Sequence, residues 1–252
     1  MKKIAIIPAR MESKRFPGKP MTDIMGIPMI GHCYLRAKLS NYVDEVYVAT
    51  CNKEIYDYIV ALGGKCIYTS NEHERATERI AEAFQSLNEE NHNTLIALLQ
   101  GDEPIIHPNV IEEVLKPIEE GNSSVCNLIL PISREDSNNK NLVKVVMSKT
   151  DSILYMSREQ IPSMKLFSGE INYFRQLGII GFTAESLLKY VSLKPTKTEI
   201  IESIDMNRFL ENDVSIKAIV SSYESDSVDE LKDLERVKNK MLHDPFIKHY
   251  NL

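Results

Sequence analysis

Lys3 to Ala9 (KIAIIPA) is an unbroken apolar run that stops at a polar loop, the pattern of a short strand covered on both faces. After that loop, Pro28 suits the first helical position, and Met29, Ile30, Cys33, Leu35 and Ala37 predict a mostly buried helix. Residues 44–50 (DEVYVAT) read as a strand, 53–62 as a helix ended by Gly63-Gly64, and 65–69 as a further short strand. A helix over 75–87, a strand over 94–99 and a helix opened by Pro108 and reaching about Glu119 continue the alternation. Such β-α repetition predicts a mostly parallel, Rossmann-like sheet with flanking helices. Past Gly121 the rhythm loosens: 124–132 and 142–147 predict strands around an exposed 133–141 loop. Helices follow over 184–191 and 197–211, then alternation at Val214, Ile216, Ala218 and Val220, and a closing helix over 227–242. No linker divides residues 1–252, so one α/β domain is expected.

Composition agrees with that picture and removes some functions. Of 252 residues, 43% are hydrophobic and 26% charged, enough to bury a large core, and the net charge of -6 argues against general nucleic-acid or membrane-surface binding. The aromatic residues show no stacking pattern of a nucleic-acid module. Cys33, Cys51, Cys66 and Cys126 lack metal-ligand spacing, which predicts reduced thiols and a cytoplasmic location. The apolar run after Met1-Lys2-Lys3 is too short for a signal core or a membrane helix, so neither export by that route nor membrane insertion is expected. His32, His73, His92 and His107 are scattered and define no ligand set.

Two polar stretches at predicted strand ends carry chemistry. The loop PARMESKRFPGKP (8–20) gathers Arg10, Lys14, Arg15 and Lys19 in an acidic protein, at the sheet edge where open α/β folds bind ligands. Arg10 and Arg15 suit a forked grip on phosphate oxygens, Lys19 a point charge, and Pro17-Gly18 a tight turn. A solvated basic loop is the competing reading, and the loop matches neither GxxxxGK[ST] nor GxGxxG. Leu98-Leu99-Gln100-Gly101-Asp102-Glu103-Pro104 ends a hydrophobic strand with two carboxylates. Asp102 there is placed to hold Mg²⁺ against nucleotide phosphates, with an ordinary acidic turn as the alternative.

The first loop resembles the PARxxSxRxPGKP loop of the 3-deoxy-manno-octulosonate (Kdo) cytidylyltransferases, and Gln100-Gly101-Asp102-Glu103-Pro104 matches their QGDEP. VYVAT, Val143-Lys144-Val145-Val146, Ser157-Arg158-Glu159-Gln160-Ile161-Pro162 and Leu177-Gly178-Ile179 fall in the family's order, so the likeness spans nearly the whole chain. It implies a fold like the nucleotide-diphospho-sugar transferases, with a smaller dimerisation insertion at roughly 125–180 and a homodimer. It also implies transfer of CMP from CTP to a 2-keto sugar acid, with pyrophosphate released, in lipopolysaccharide or other cell-surface polysaccharide synthesis. Arg10, Ser13, Arg15 and Lys19 would then hold the triphosphate, with Gln100 beside it, and Asp102 would bind catalytic Mg²⁺. A second metal-binding aspartate is implied by the family's VDTPEDLERV. Gap-free alignment of Val228-Asp229 through Leu234-Glu235-Arg236-Val237 makes it Asp229; a register with Ser227 as N-cap and Glu230 closing a capping box frees Asp226 and is slightly favoured on that ground.

The chain departs from the family in two places. Glu74-Arg75-Ala76-Thr77-Glu78-Arg79 stands where the family has SGTDR, keeping Thr77 and Arg79 as expected nucleotide contacts. Gln176-Leu177-Gly178-Ile179-Ile180 replaces H-[IL]-G-I-Y, and Glu202-Ser203-Ile204-Asp205-Met206 replaces E-x-L-E-Q. Gln176, Glu202 and Asp205 are the expected acceptor contacts, with Arg158 and Arg175 placed to pair with an acceptor carboxylate or to serve only in salt bridges. A pocket that reads hydroxyls by hydrogen bonds discriminates strongly, so these changes leave open a different acidic acceptor, another sugar acid or a phosphonate. A nucleotide-binding relative without turnover is the alternative from another class.

Overall fold

Ile4 and Ile6 point to one side of the first strand and Ala5 and Ile7 to the other, and all four are fully buried, so this strand must lie inside a sheet covered on both faces. The computed structural model describes residues 1–12, 16–87 and 93–250. Strand β1 (Lys2–Ala9) is followed by a hairpin, β2 (Asp23–Ile24) and β3 (Ile27–Pro28), then α1 (Met29–Lys38), β4 (Glu45–Thr50), α2 (Lys53–Ala61) and β5 (Lys65–Tyr68). Next come α3 (Ala76–Ser86), β6 (Thr94–Leu98), α4 (Val110–Glu119), β7 (Val125–Ile132), β8 (Lys144–Met147), β9 (Ile153–Ser157) and β10 (Tyr173–Thr183). The chain closes with α5 (Ala184–Ser192), α6 (Lys197–Glu202), α7 (Asn207–Leu210), β11 (Lys217–Val220) and α8 (Leu231–Met241).

The main sheet runs β11-β7-β10-β6-β1-β4-β5, with β8 and β9 joined to it through β10. β1 pairs in parallel with β4 and β6, β4 with β5 and β11 with β7; β10 is antiparallel to both β6 and β7. The fold is therefore the mixed, mostly parallel sheet with flanking helices that the alternation predicts. Ile80, Phe84, Leu187 and Phe209 cover one face with Ile4, Ile6 and Leu98; Ile30, Ile55, Ile59, Val114 and Ile118 cover the other with Ala5, Ile7 and Leu99. At Gly181, in β10, an added Cβ would sit 2.6 Å from the Val114 carbonyl, so α4 lies directly on the strand there.

Several elements differ from the sequence reading, among them β9 and the β2–β3 hairpin, which it does not contain. Strand β10 escaped it because burial on both faces removes alternation and Arg175-Gln176 interrupts the apolar run; the strand register also shifts between Gln176 and Ile180. The helix expected over 197–211 is two short helices, parted where Ser203 turns left-handed at φ 55°. The closing helix begins at Leu231 rather than at 227: Glu230 is its N-cap, and Asp233 closes the capping box expected of Ser227 and Glu230.

Candidate active site

The ends of β1 and β6 lie side by side, and the turns that leave them line one cavity of about 820 Å³. Open α/β sheets place ligands at this edge, because strand ends diverge there and the loops carry the polar groups. Past β1, Gly18 takes φ 74° and donates its N–H to the Met11 carbonyl at 3.0 Å, which folds the loop back. Pro20 then starts a single 3-10 turn, Lys19–Met21, that aims Lys19 inward. Lys19 Nζ lies 2.6 Å from Asp102 Oδ2 and donates to the Val228 carbonyl at 2.9 Å. Arg10, exposed beside it, donates to the His73 carbonyl at 3.3 Å.

Past β6, Gly101 brings its backbone against the end of β1: a Cβ there would meet the Pro8 carbonyl at 2.9 Å. This close approach sets Asp102 on the cavity wall. Gln100 is held from the rear, since a Cβ on Gly178 would fall 2.0 Å from its Cγ. Gly178→Ala is therefore expected to push Gln100 off the wall and weaken about tenfold the binding of the nucleotide that the loop resemblance implies, roughly the loss of one hydrogen bond. Calorimetric titration with CTP checks this, and an affinity within twofold of the parent would deny Gln100 a contact with it.

Of the residues expected at the site, Arg10, Lys19, Arg79, Gln100 and Asp102 line the cavity. Arg79 is almost wholly buried and donates to Thr69 Oγ1 at 2.6 Å and the Ser70 carbonyl at 2.9 Å, so it also shapes the 69–73 loop. Arg75 lines the cavity too, at the N-cap of α3, with its guanidinium 2.8 Å from Ser203 Oγ and 3.5 Å from a Glu199 oxygen. The sequence marks Arg75 only as a departure from the family motif; a cation at a helix start beside a basic loop was the signal available. Glu12, His73 and Ser203 complete this wall without a sequence signal.

The other expected residues among those described do not themselves line the cavity, and each has protein partners. Thr77 gives both its N–H and its hydroxyl to Asp205 Oδ2, at 3.2 and 2.9 Å, so Asp205 caps α3 from across the fold, and burial raises its carboxyl pKa. Glu202 accepts from Ser157 Oγ at 2.6 Å and the Arg158 N–H at 2.8 Å, while Arg158 Nε donates to the Glu202 carbonyl at 2.7 Å. Gln176 bonds Asn127 Oδ1 at 2.7 Å, and Arg175 bonds the Ser225 carbonyl at 2.7 Å. Asp226 is paired with Arg236 and Lys240, at 3.0 and 2.7 Å. Asp229 accepts from Ser227 Oγ at 3.2 Å and directly follows Val228, whose N–H bonds the Asp102 carbonyl at 2.9 Å. Ser13, Arg15 and His92 lie outside the described residues.

Hard carboxylate oxygens beside a cluster of cations are the donor set that suits Mg²⁺ shared with phosphate oxygens. Among the described residues no group of three or more His, Cys, Asp and Glu is gathered, so protein side chains alone form no closed metal cage there.

Comparison with known proteins points the same way. The model of the family described as cytidylyltransferase matches residues 4–218. The 3-deoxy-manno-octulosonate cytidylyltransferase of Thermodesulfovibrio yellowstonii is 39% identical over 92% of this chain and 95% of its own. That of Fusobacterium nucleatum is 36% identical over 100% of this chain and 99% of its own. Among solved structures, a CMP:2-keto-3-deoxy-manno-octonic acid synthetase complexed with CTP matches at a TM-score of 0.88 and 33% identity, covering 96% of this chain and 99% of that one. A cytidylyltransferase from Leptospira borgpetersenii shares the fold at a TM-score of 0.63 and 18% identity, covering 96% of this chain and 87% of its own.

Proposed function

The chain belongs to the cytidylyltransferase family, with the 3-deoxy-manno-octulosonate cytidylyltransferases as relatives along nearly its whole length, and on that footing we propose that it transfers CMP from CTP to Kdo and releases pyrophosphate. The observation that carries the reading is the Lys19–Asp102 pair on the wall of a cavity that Arg10, Arg75 and Arg79 also line. Such a lining offers cations for a triphosphate and an acid for its counter-ion in one place.

In-line attack on the α-phosphorus needs the acceptor hydroxyl and the pyrophosphate on opposite sides, with negative charge neutralised as it builds on the leaving group. Lys19 and Arg10 supply fixed positive charge toward the phosphates, and the Asp102 pairing keeps Lys19 inside when no nucleotide is bound. Gln100, packed on Gly178, offers an amide that orients the substrate. Asp102 and Asp229 would hold Mg²⁺, which supplies Lewis-acid charge neutralisation and eases loss of the acceptor proton. Asp229 is preferred to Asp226 because α8 starts at Leu231, which removes the capping argument for Asp226, and because Asp229 directly follows Val228, whose N–H bonds the Asp102 carbonyl at 2.9 Å.

A homodimer suits the exposed apolar side chains of Leu154, Leu166, Phe167 and Ile201, which burial against a second copy would cover. A cytoplasmic place in cell-surface polysaccharide synthesis follows from the reaction, and no helix among the described residues is long and apolar enough to cross a membrane.

A different acidic acceptor is the second reading, favoured by one observation: Gln176 and Asp205, where the chain departs from the family motifs, are both bonded to protein groups. Pyrophosphate release with Mg²⁺ and CTP, run against Kdo, its 8-amino analogue, sialic acid and small phosphonates, tests both. Turnover with Kdo, abolished by chelation, is the expected result; silence with Kdo and turnover with another acid would establish the second reading.

A further inference from the structure

Residues 221–230, between β11 and α8, form no regular element, so their position is set by what grips them. Ser225 and Val228 are gripped twice each. Ser225 donates its hydroxyl to Glu103 at 2.5 Å, across 122 residues of sequence, and its carbonyl accepts from Arg175 at 2.7 Å. Val228 donates its N–H to the Asp102 carbonyl, and its own carbonyl accepts from Lys19, both at 2.9 Å. Glu103 is only 4% exposed, and Arg175 lies in β10 of the sheet. Glu103 and Arg175 thus join the sheet, the turn after β6 and the segment leading to Asp229.

We propose that Glu103, Ser225 and Arg175 are positioning residues: they hold residues 225–229 against the turn after β6, so that the carboxylates of Asp102 and Asp229 serve one Mg²⁺ site. The inference rests on the metal reading above. The fully buried Val228 side chain already anchors the segment to the core, and apolar packing of that kind would cover it without the cost of burying an acid. Here a buried carboxylate and a guanidinium converge on one serine, a directional arrangement that fixes a backbone more closely than apolar contact does.

Ser225→Ala removes the hydroxyl and leaves the backbone carbonyl to Arg175. Mn²⁺ uptake by the CTP complex, followed by electron paramagnetic resonance, is expected to weaken about tenfold, the usual effect of removing a group that supports a metal ligand. Hydrogen exchange at the Val228 amide should quicken, while CTP affinity in EDTA stays within twofold. Glu103→Gln, which keeps an acceptor for Ser225 but loses the charge, should give a smaller loss in the same direction. A purely structural role would reduce the active fraction and leave the Mn²⁺ half-saturation unchanged. Unaltered Mn²⁺ affinity in Ser225→Ala, with or without faster exchange at Val228, overturns the inference. Absence of Mn²⁺ uptake by the parent protein with CTP overturns the metal reading itself, and the inference with it.

Discussion

Asp102→Asn is expected to lower turnover about a thousandfold, the upper end of what loss of one group stabilising transition-state charge costs. The substitution keeps the shape of the side chain. The main-chain bond from Val228 to the Asp102 carbonyl does not involve the carboxylate, so the turn and the segment facing it stay in place. What disappears is one negative charge, 2.6 Å from Lys19 Nζ, on the cavity wall. Affinity for CTP without metal should hold or improve, because Lys19 no longer has to leave an ion pair to meet a phosphate. Affinity for CTP with Mg²⁺ should fall, and the reversal between the two conditions separates a metal-holding acid from one that only steadies Lys19. Pyrophosphate release and calorimetric titration of CTP with and without Mg²⁺ supply both readings. Parental turnover at saturating Mg²⁺ would remove Asp102 from the metal site.

What the sequence made legible shares a physical character. β1, β4, α2, α3 and β6 follow from short-range pattern, and each was read to within a residue or two, because burial of one face or of both writes its period directly into neighbouring positions. Arg10, Gln100 and Asp102 were legible for a related reason: each follows a strand within a few residues, so the strand that positions it also announces it, and Lys19 was legible from the loop motif that Arg10 opens. Contacts between distant segments left no such trace. Thr77 meets Asp205 across 128 residues, and Arg75 reaches Ser203 across the same span; motif position alone did not announce that Thr77 and Asp205, both expected ligand contacts, bond each other. The start of α8 failed differently: the capping box expected at Ser227 and Glu230 forms instead at Glu230 and Asp233, three residues on, and local chemistry favoured the wrong one. Val228 chooses, because its bonds to Asp102 and Lys19 keep the chain extended past Ser227.

Arg208→Met is expected to destabilise the protein by about 3–5 kcal/mol, the cost of leaving a buried charge without its main partner. Arg208 is 2% exposed and donates Nε and Nη2 to the two oxygens of Glu199, at 2.8 and 2.7 Å, and Nη2 also to Glu78 at 2.7 Å; its guanidinium lies 4.2 Å from the Tyr190 ring centroid. Glu199 is fully buried and accepts as well from the Tyr190 hydroxyl at 3.3 Å and from the Thr196 N–H at 3.2 Å, closing the capping box of α6. Methionine fills much of the volume, so the loss reports on charge and hydrogen bonding rather than on a cavity. With Arg208 gone, the nearest cation to Glu199 is Arg75, at 3.5 Å, whose guanidinium also lines the cavity. The melting temperature should drop by on the order of 10 °C. CTP affinity should fall in the surviving folded protein, because Arg75 is drawn toward Glu199. Adding Glu199→Gln to Arg208→Met should restore a large part of the stability by removing the uncompensated charge, with Arg75 then released. Calorimetric melting of the two variants and the parent decides this. A drop of less than 2 °C in Arg208→Met would mean that Arg75 alone neutralises Glu199, and the buried network would then have a single essential cation, the one at the cavity wall.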